Sequence, residues 1–134
     1  MPQLIHSQGA EKMMTEQFKL NMTGHKNPEL KSMGFFDLSL EVDLSDFSLP
    51  EKLKVLLQDK IPANCGQIMV AMPGLAPLCS LIMPIIHGIT GQFPEIVIMK
   101  PGLERGTFIP QDPVDLQKLR LDSRRERKGM INLS

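Results

Sequence analysis

One stretch, Gln67 to Lys100 (QIMVAMPGLAPLCSLIMPIIHGITGQFPEIVIMK), constrains the fold more than any other. QIMVAM is a short apolar run without a polar break, the pattern of a strand buried on both faces. MPGLAP reads as a turn in which Gly74 is free to take positive φ. LCSLIMPIIHG is too long for one strand and reads as a helix stopped by Gly88 and Gly91, with Pro84 expected to kink or divide it. EIVIM reads as a second buried strand. Two buried strands around a helix make a βαβ unit, which requires a parallel pair and a right-handed crossover. In such sheets ligands collect at the carboxyl ends of the strands.

The rest of the chain is read against this unit. QFKLNM (17–22) alternates and predicts a first strand, followed by the polar turn Thr23-Gly24-His25-Lys26-Asn27-Pro28. That turn is a ligand loop if the strand runs parallel to the central pair, and otherwise an ordinary polar turn. Pro28 to Met33 suits one or two helical turns. Phe35 to Leu44 alternates strictly and predicts a half-exposed strand with Asp37, Ser39, Glu41 and Asp43 facing out. Carboxylates spread along one strand do not converge on an ion, so they read as a solvated face and not as a metal site. Ser48 with Glu51 three residues on predicts a capping box, and Leu53, Leu56 and Leu57 give the helix its apolar stripe. Gly102 to Pro110 reads as a loop and short edge strand. Pro113 to Lys128 predicts a helix starting at Asp112 or Pro113, on which Arg120, Arg124 and Arg127 share a face. Residues 1–13 read as a flexible tail that leaves His6 outside the fold, with Met13 and Met14 as alternative starts. Residues 14–128 form the domain. Residues 129–134 read as a C-terminal tail or a partner-swapped strand.

The formal net charge of +0 gives no global case for long nucleic acid, though a small anionic ligand needs only a local positive site. With no Trp and no Tyr, base stacking falls to six Phe and three His. Cys65 and Cys79 are too few for a disulfide scaffold or a four-cysteine zinc site, and they read as free thiols of a reducing cytoplasm. No signal peptide or membrane span is expected. The turn Pro73-Gly74-Leu75, before a helix start, suits a phosphodiester; it is neither a dinucleotide fingerprint nor a Walker loop, so neither cofactor nor ATP hydrolysis is supported. His87 is either a partly buried histidine bonded to a carbonyl or a ligand contact. It lies at the far end of the helix from that turn, so the two meet one ligand only across a subunit interface. His25 and His87 together offer a base and an acid for 2′-hydroxyl attack. The helix is apolar nearly all round, which suits packing on another subunit.

LNMTGHKNPE, PGLAPLCSLIMPIIHGITGQFPEIVIM and VDLQKLRLDSRRE together resemble a small group of CRISPR-associated Rossmann-like proteins, the family written Csx-fifteen. The resemblance spans roughly Gln17 to Glu126, and its specific part is the combination PGL, HG and FP. It implies a single α/β, Rossmann-like (CARF-related) domain with a mostly parallel sheet flanked by helices. It also implies a homodimer holding cyclic tetra-adenylate across a two-fold axis, with ligand-bridged assembly of dimers as an extension. By match, Thr23, Gly24 and His25 are the first ligand loop and Pro73, Gly74 and Leu75 the second. His87 and Gly88 match the HG pair, and Arg120 matches the helix arginine. No cofactor, metal or membrane partner is implied. Three functions remain open: sequestration of the messenger, metal-independent ring cleavage with His25 or His87 as candidate catalytic residues, and a non-catalytic adaptor role.

Overall fold

A computed structural model describes residues 17–38, 42–62 and 65–133. Residues 1–13, with His6, Met13 and the expected tail, lie outside the described residues, as do Met14, Ser39 and Glu41. Four strands form the parallel body of the sheet: β1 (Phe18–Asn21), β2 (Phe36–Asp37), β3 (Ile68–Ala71) and β4 (Glu95–Val97). The central unit folds as its pattern predicts. β3 is buried at every residue, lies between β1 and β4, and pairs Val70 with both Leu20 and Ile96.

Helix α1 (Pro28–Ser32) links β1 to β2, α2 (Leu49–Lys60) links β2 to β3, and α3 (Ala76–Thr90) links β3 to β4. From β1 the chain steps to β2 on one side and then returns past β1 to β3 on the other. With crossovers of one hand, this reversal puts α1 on the opposite face from α2 and α3. The side chains obey it. Leu20, Ile68 and Val70 pack with Leu53 and Leu57 of α2 and with Ile82 and Ile86 of α3. The alternate residues Met69, Ala71 and Val97 pack with Leu30 of α1 and with Phe35. The fold is therefore α/β with a mostly parallel sheet, compatible with a single Rossmann-like domain. The point where strand order reverses lies between β1 and β3, and their carboxyl ends open the crevice in which such sheets bind ligands.

Several elements differ from the sequence reading. EIVIM is two strands: β4 ends at Val97, Ile98 is half-exposed, and β5 (Met99–Pro101) pairs antiparallel with β6 (Phe108–Pro110) in a separate hairpin. The run from Phe35 does not extend as a strand to Leu44. After Asp37 the described residues 42–47 turn, and Leu44 is 50% exposed where alternation would bury it. Asp43 Oδ1 accepts from the Ser45 N–H at 3.0 Å and its hydroxyl at 2.6 Å, and Asp46 does the same for Ser48. These side-chain turns compete with a sheet ladder. They also replace the expected capping box, because the Ser48 hydroxyl donates to Asp46 instead of capping α2.

Val114–Asp115, expected in a helix, is instead β7, which pairs antiparallel with β4 and closes the sheet edge. Helix α4 (Leu116–Leu133) starts after it and continues through 129–133, so that segment is helical and not a swapped strand. α3 runs unbroken past Pro84 and Gly88 and ends at Gly91, whose φ of 81° places it in the left-handed region while its N–H caps His87 O at 2.8 Å. Pro84 is exposed and neither ends nor divides the helix.

Candidate functional site

The first loop begins at a buried polar residue. Asn21, the last residue of β1, is 2% exposed, and its side chain uses all four of its hydrogen-bonding positions. Nδ2 donates to the His25 carbonyl at 2.8 Å and to Asp37 Oδ1 at 2.9 Å. Oδ1 accepts the Thr23 N–H at 3.0 Å and the Thr23 hydroxyl at 2.6 Å. The five-residue path from β1 to His25 is thus folded back on its own strand, with Gly24 at φ 83° making the reversal. His25 and Lys26 stand exposed at its tip. Asn27 then caps α1, accepting the Glu29 and Leu30 N–H groups, while its Nδ2 donates to Phe108 O at 2.9 Å. One side chain therefore ties the loop to the β5–β6 hairpin.

The second loop follows β3. Met72 N–H closes the ladder onto Val97 O at 3.0 Å, and Pro73 and Gly74 lead into α3. Gly74 does not use the positive φ expected of it, and a Cβ there would meet nothing within 4 Å. Its freedom from a side chain opens space; it does not make the turn. Leu75 sits at the N-cap of α3 and forms no side-chain cap hydrogen bond. The first-turn N–H groups are left without the usual Ser, Thr, Asp or Asn acceptor, at the positive end of a 15-residue helix. Pro77 removes one of those donors.

These loops converge on an open cavity of about 970 Å³ at the carboxyl ends of β1, β3 and β4. Thr23, His25 and Lys26 line it from the first loop, and Met72, Pro73 and Gly74 line it from the second. The hairpin forms the third wall, with Ile98 and Met99 at its base, Leu103 and Glu104 at its tip, and Phe108 and Ile109 on its returning strand. The hairpin is braced at its neck by the Gly102 N–H donating to Thr107 O at 2.8 Å, while the Thr107 N–H and hydroxyl both donate to Glu104 O. A Cβ at Gly102 would collide with Thr107 Oγ1.

Of the residues singled out in the sequence, Thr23, His25, Pro73 and Gly74 line this cavity together; Gly24 and Leu75 adjoin it within the same two loops. His87, Gly88 and Arg120 do not line it. His87 is eleven residues into α3 from Ala76, so at about 1.5 Å per residue it lies roughly 16 Å away along the axis. Its ring packs on Phe93 with centroids 4.5 Å apart. The start of α4 meets the same place: Gln117 Oε1 accepts the Phe93 N–H at 3.0 Å, and Arg120 lies exposed one turn further along. The carried-over residues therefore fall into two groups at opposite ends of the sheet.

The sequence reading has a loop and short edge strand over Gly102 to Pro110 but not its partner strand or its place as a cavity wall, because the hairpin forms only when EIVIM splits at Ile98. Asn21 was also missed; an Asn at the end of an alternating strand, two residues before Thr and six before a second Asn, was the available signal. The thiols are poor nucleophiles here. Burial pushes both Cys65 and Cys79 up from the usual thiol range, and Cys79 Sγ donates to Pro73 O at 3.4 Å. Among the described residues no cluster of His, Cys, Asp and Glu is suited to a metal ion, and no helix is long and apolar enough to cross a membrane.

No protein-family model, curated protein or solved structure matches the chain.

Proposed function

We propose that this chain binds a cyclic oligoadenylate, with cyclic tetra-adenylate the expected ring, and damps type III CRISPR antiviral signalling in the cytoplasm by sequestering it. The observation that carries the reading is the convergence of the β1–α1 loop and the β3–α3 turn on one cavity, at the point where strand order reverses. The uncapped start of α3, next to the Met72–Gly74 wall, offers N–H donors to a phosphodiester, and Lys26 brings a local cation, with the His25 ring beside it, to a chain of zero net charge. A site at one end of the sheet suits a ring shared between two copies of the chain, so a homodimer, and beyond it ligand-bridged dimers, belong to the proposal.

Sequestration is preferred to cleavage on one observation. Metal-independent 2′-hydroxyl attack needs a base and an acid at one phosphodiester, and within one chain only His25 of the two histidines lines the cavity. Labelled cyclic tetra-adenylate incubated with protein and EDTA tests the reading. Tight retention with full recovery of the intact ring is expected. Linear product released over many turnovers would replace the sponge with a ring nuclease built on His25. Absence of binding to any ring size would leave the adaptor role.

A further inference from the structure

The cavity is larger and more apolar than phosphate binding requires. Its phosphate-friendly groups, His25 and Lys26, lie on the first loop, and the second loop leads from the cavity into the start of α3. Its third wall is different: Phe108 and Ile109 line it from β6, and Glu104 stands at the hairpin tip. Phe108 is 51% exposed although it belongs to a paired strand, and no aromatic partner covers its ring among the described residues. A carboxylate at that wall repels phosphate, so an anionic ligand places its phosphates toward the loops and turns something neutral toward the hairpin. A neutral, planar group that stacks on a phenyl ring while attached to a phosphate backbone is a nucleobase.

Resting on the reading of this cavity as a nucleotide site, we infer that the β5–β6 hairpin is a nucleobase platform, with Phe108 the ring on which one base of the ligand stacks. The hairpin is held for this role. Asn27, which caps α1, also grips the Phe108 carbonyl, so the stacking ring is fixed to the loop that carries His25 and Lys26. Base and phosphate are read by two walls joined through one side chain.

The chain has no Trp or Tyr, so Phe108→Trp creates a protein whose single indole reports on this wall. Saturable quenching of its emission by adenosine 5′-monophosphate, and none by ribose 5-phosphate, is expected. Calorimetry with cyclic tetra-adenylate should show Phe108→Leu and Phe108→Ala weakened by about 5- to 100-fold, with Phe108→Trp within about threefold of the parent. Circular dichroism of each variant should match the parent, because the ring is half-exposed and makes little of the core. Failure of the mononucleotide to quench overturns the inference, and so does undiminished binding by Phe108→Leu. No heat from the parent protein with any cyclic oligoadenylate, combined with quenching by the mononucleotide, removes the cyclic ligand and leaves the base platform standing.

Discussion

Replacing Asn21 tests whether the β1–α1 loop is built by that side chain. Its four hydrogen bonds reach His25 O, Asp37 Oδ1, Thr23 N and Thr23 Oγ1. Asn21→Leu keeps the volume and removes all four. A lost intramolecular bond costs about 1 kcal/mol net, and more where the partner stays buried without water. Asp37 is exposed and rehydrates, and Thr23 Oγ1 keeps its own bonds with His25 at 3.0 and 3.2 Å. The Thr23 N–H is left without a partner, while the His25 carbonyl keeps the Thr23 hydroxyl. Together these give a destabilisation of about 2 kcal/mol, or a fall in Tm of roughly 7 °C for a domain of this size. Differential scanning calorimetry reads it directly. Asn21→Asp discriminates further. It keeps the acceptor for Thr23, retains one donor only while protonated, and sets a buried carboxyl against Asp37. Burial and the neighbouring charge raise the introduced group above the pKa it has unfolded, so its destabilisation is small near pH 4 and grows as pH rises toward 7. A Tm drop below about 2 °C for Asn21→Leu, or a pH-independent deficit for Asn21→Asp, would refute the account of this loop.

Asp46 gives a second pH test, at the opening of α2. Its carboxylate is held well below the usual range by Lys52 Nζ at 2.6 Å and then by the Ser48 hydroxyl and N–H. A depressed folded pKa stabilises above the unfolded value and is lost as pH falls, so the Tm difference between the parent and Asp46→Asn should be constant from neutral pH to about pH 5 and shrink below about pH 4. It should also narrow in high salt, since the pair is exposed. Gly74→Val should leave Tm within about 3 °C, because a Cβ there meets nothing, while a branched side chain at the cavity wall lowers affinity for cyclic tetra-adenylate at least about tenfold by calorimetry. Gly102→Ala should loosen the hairpin by colliding with Thr107, seen as faster amide exchange over 99–110 with the sheet unchanged. His25→Ala and His87→Ala separate the two ends of the sheet: the first should weaken ligand retention, and the second should do so only if a ring reaches the far end of a partner's α3.

The central βαβ unit was legible in the residues because β3 carries no polar side chain and α3 is too long to be anything else. What escaped the pattern was fixed by partners distant in sequence. EIVIM has one period, yet its last residue pairs with Pro110, so tertiary pairing splits it at Ile98. FFDLSLEVDL alternates well enough for a strand, but Asp43 and Asp46 fold the chain onto Ser45 and Ser48. Val114 and Asp115 fit a helical stripe and still join the sheet, because the β4 edge is free to pair. Pro84 was overread: an exposed proline whose neighbours are pinned by Ile82 and Ile86 stays within the helix. At the site, the two loops were legible from Gly24, His25 and Gly74, whereas the third wall needed the hairpin to exist first.

The most direct test of the central claim is a calorimetric titration of cyclic tetra-adenylate into the parent protein, with the recovered ligand assayed for ring opening. Saturable binding near one ring per two chains, with the ring recovered intact, is the result the account predicts. No heat at ligand concentrations well above the protein's, or recovery of linear adenylates in excess of the protein, would contradict it.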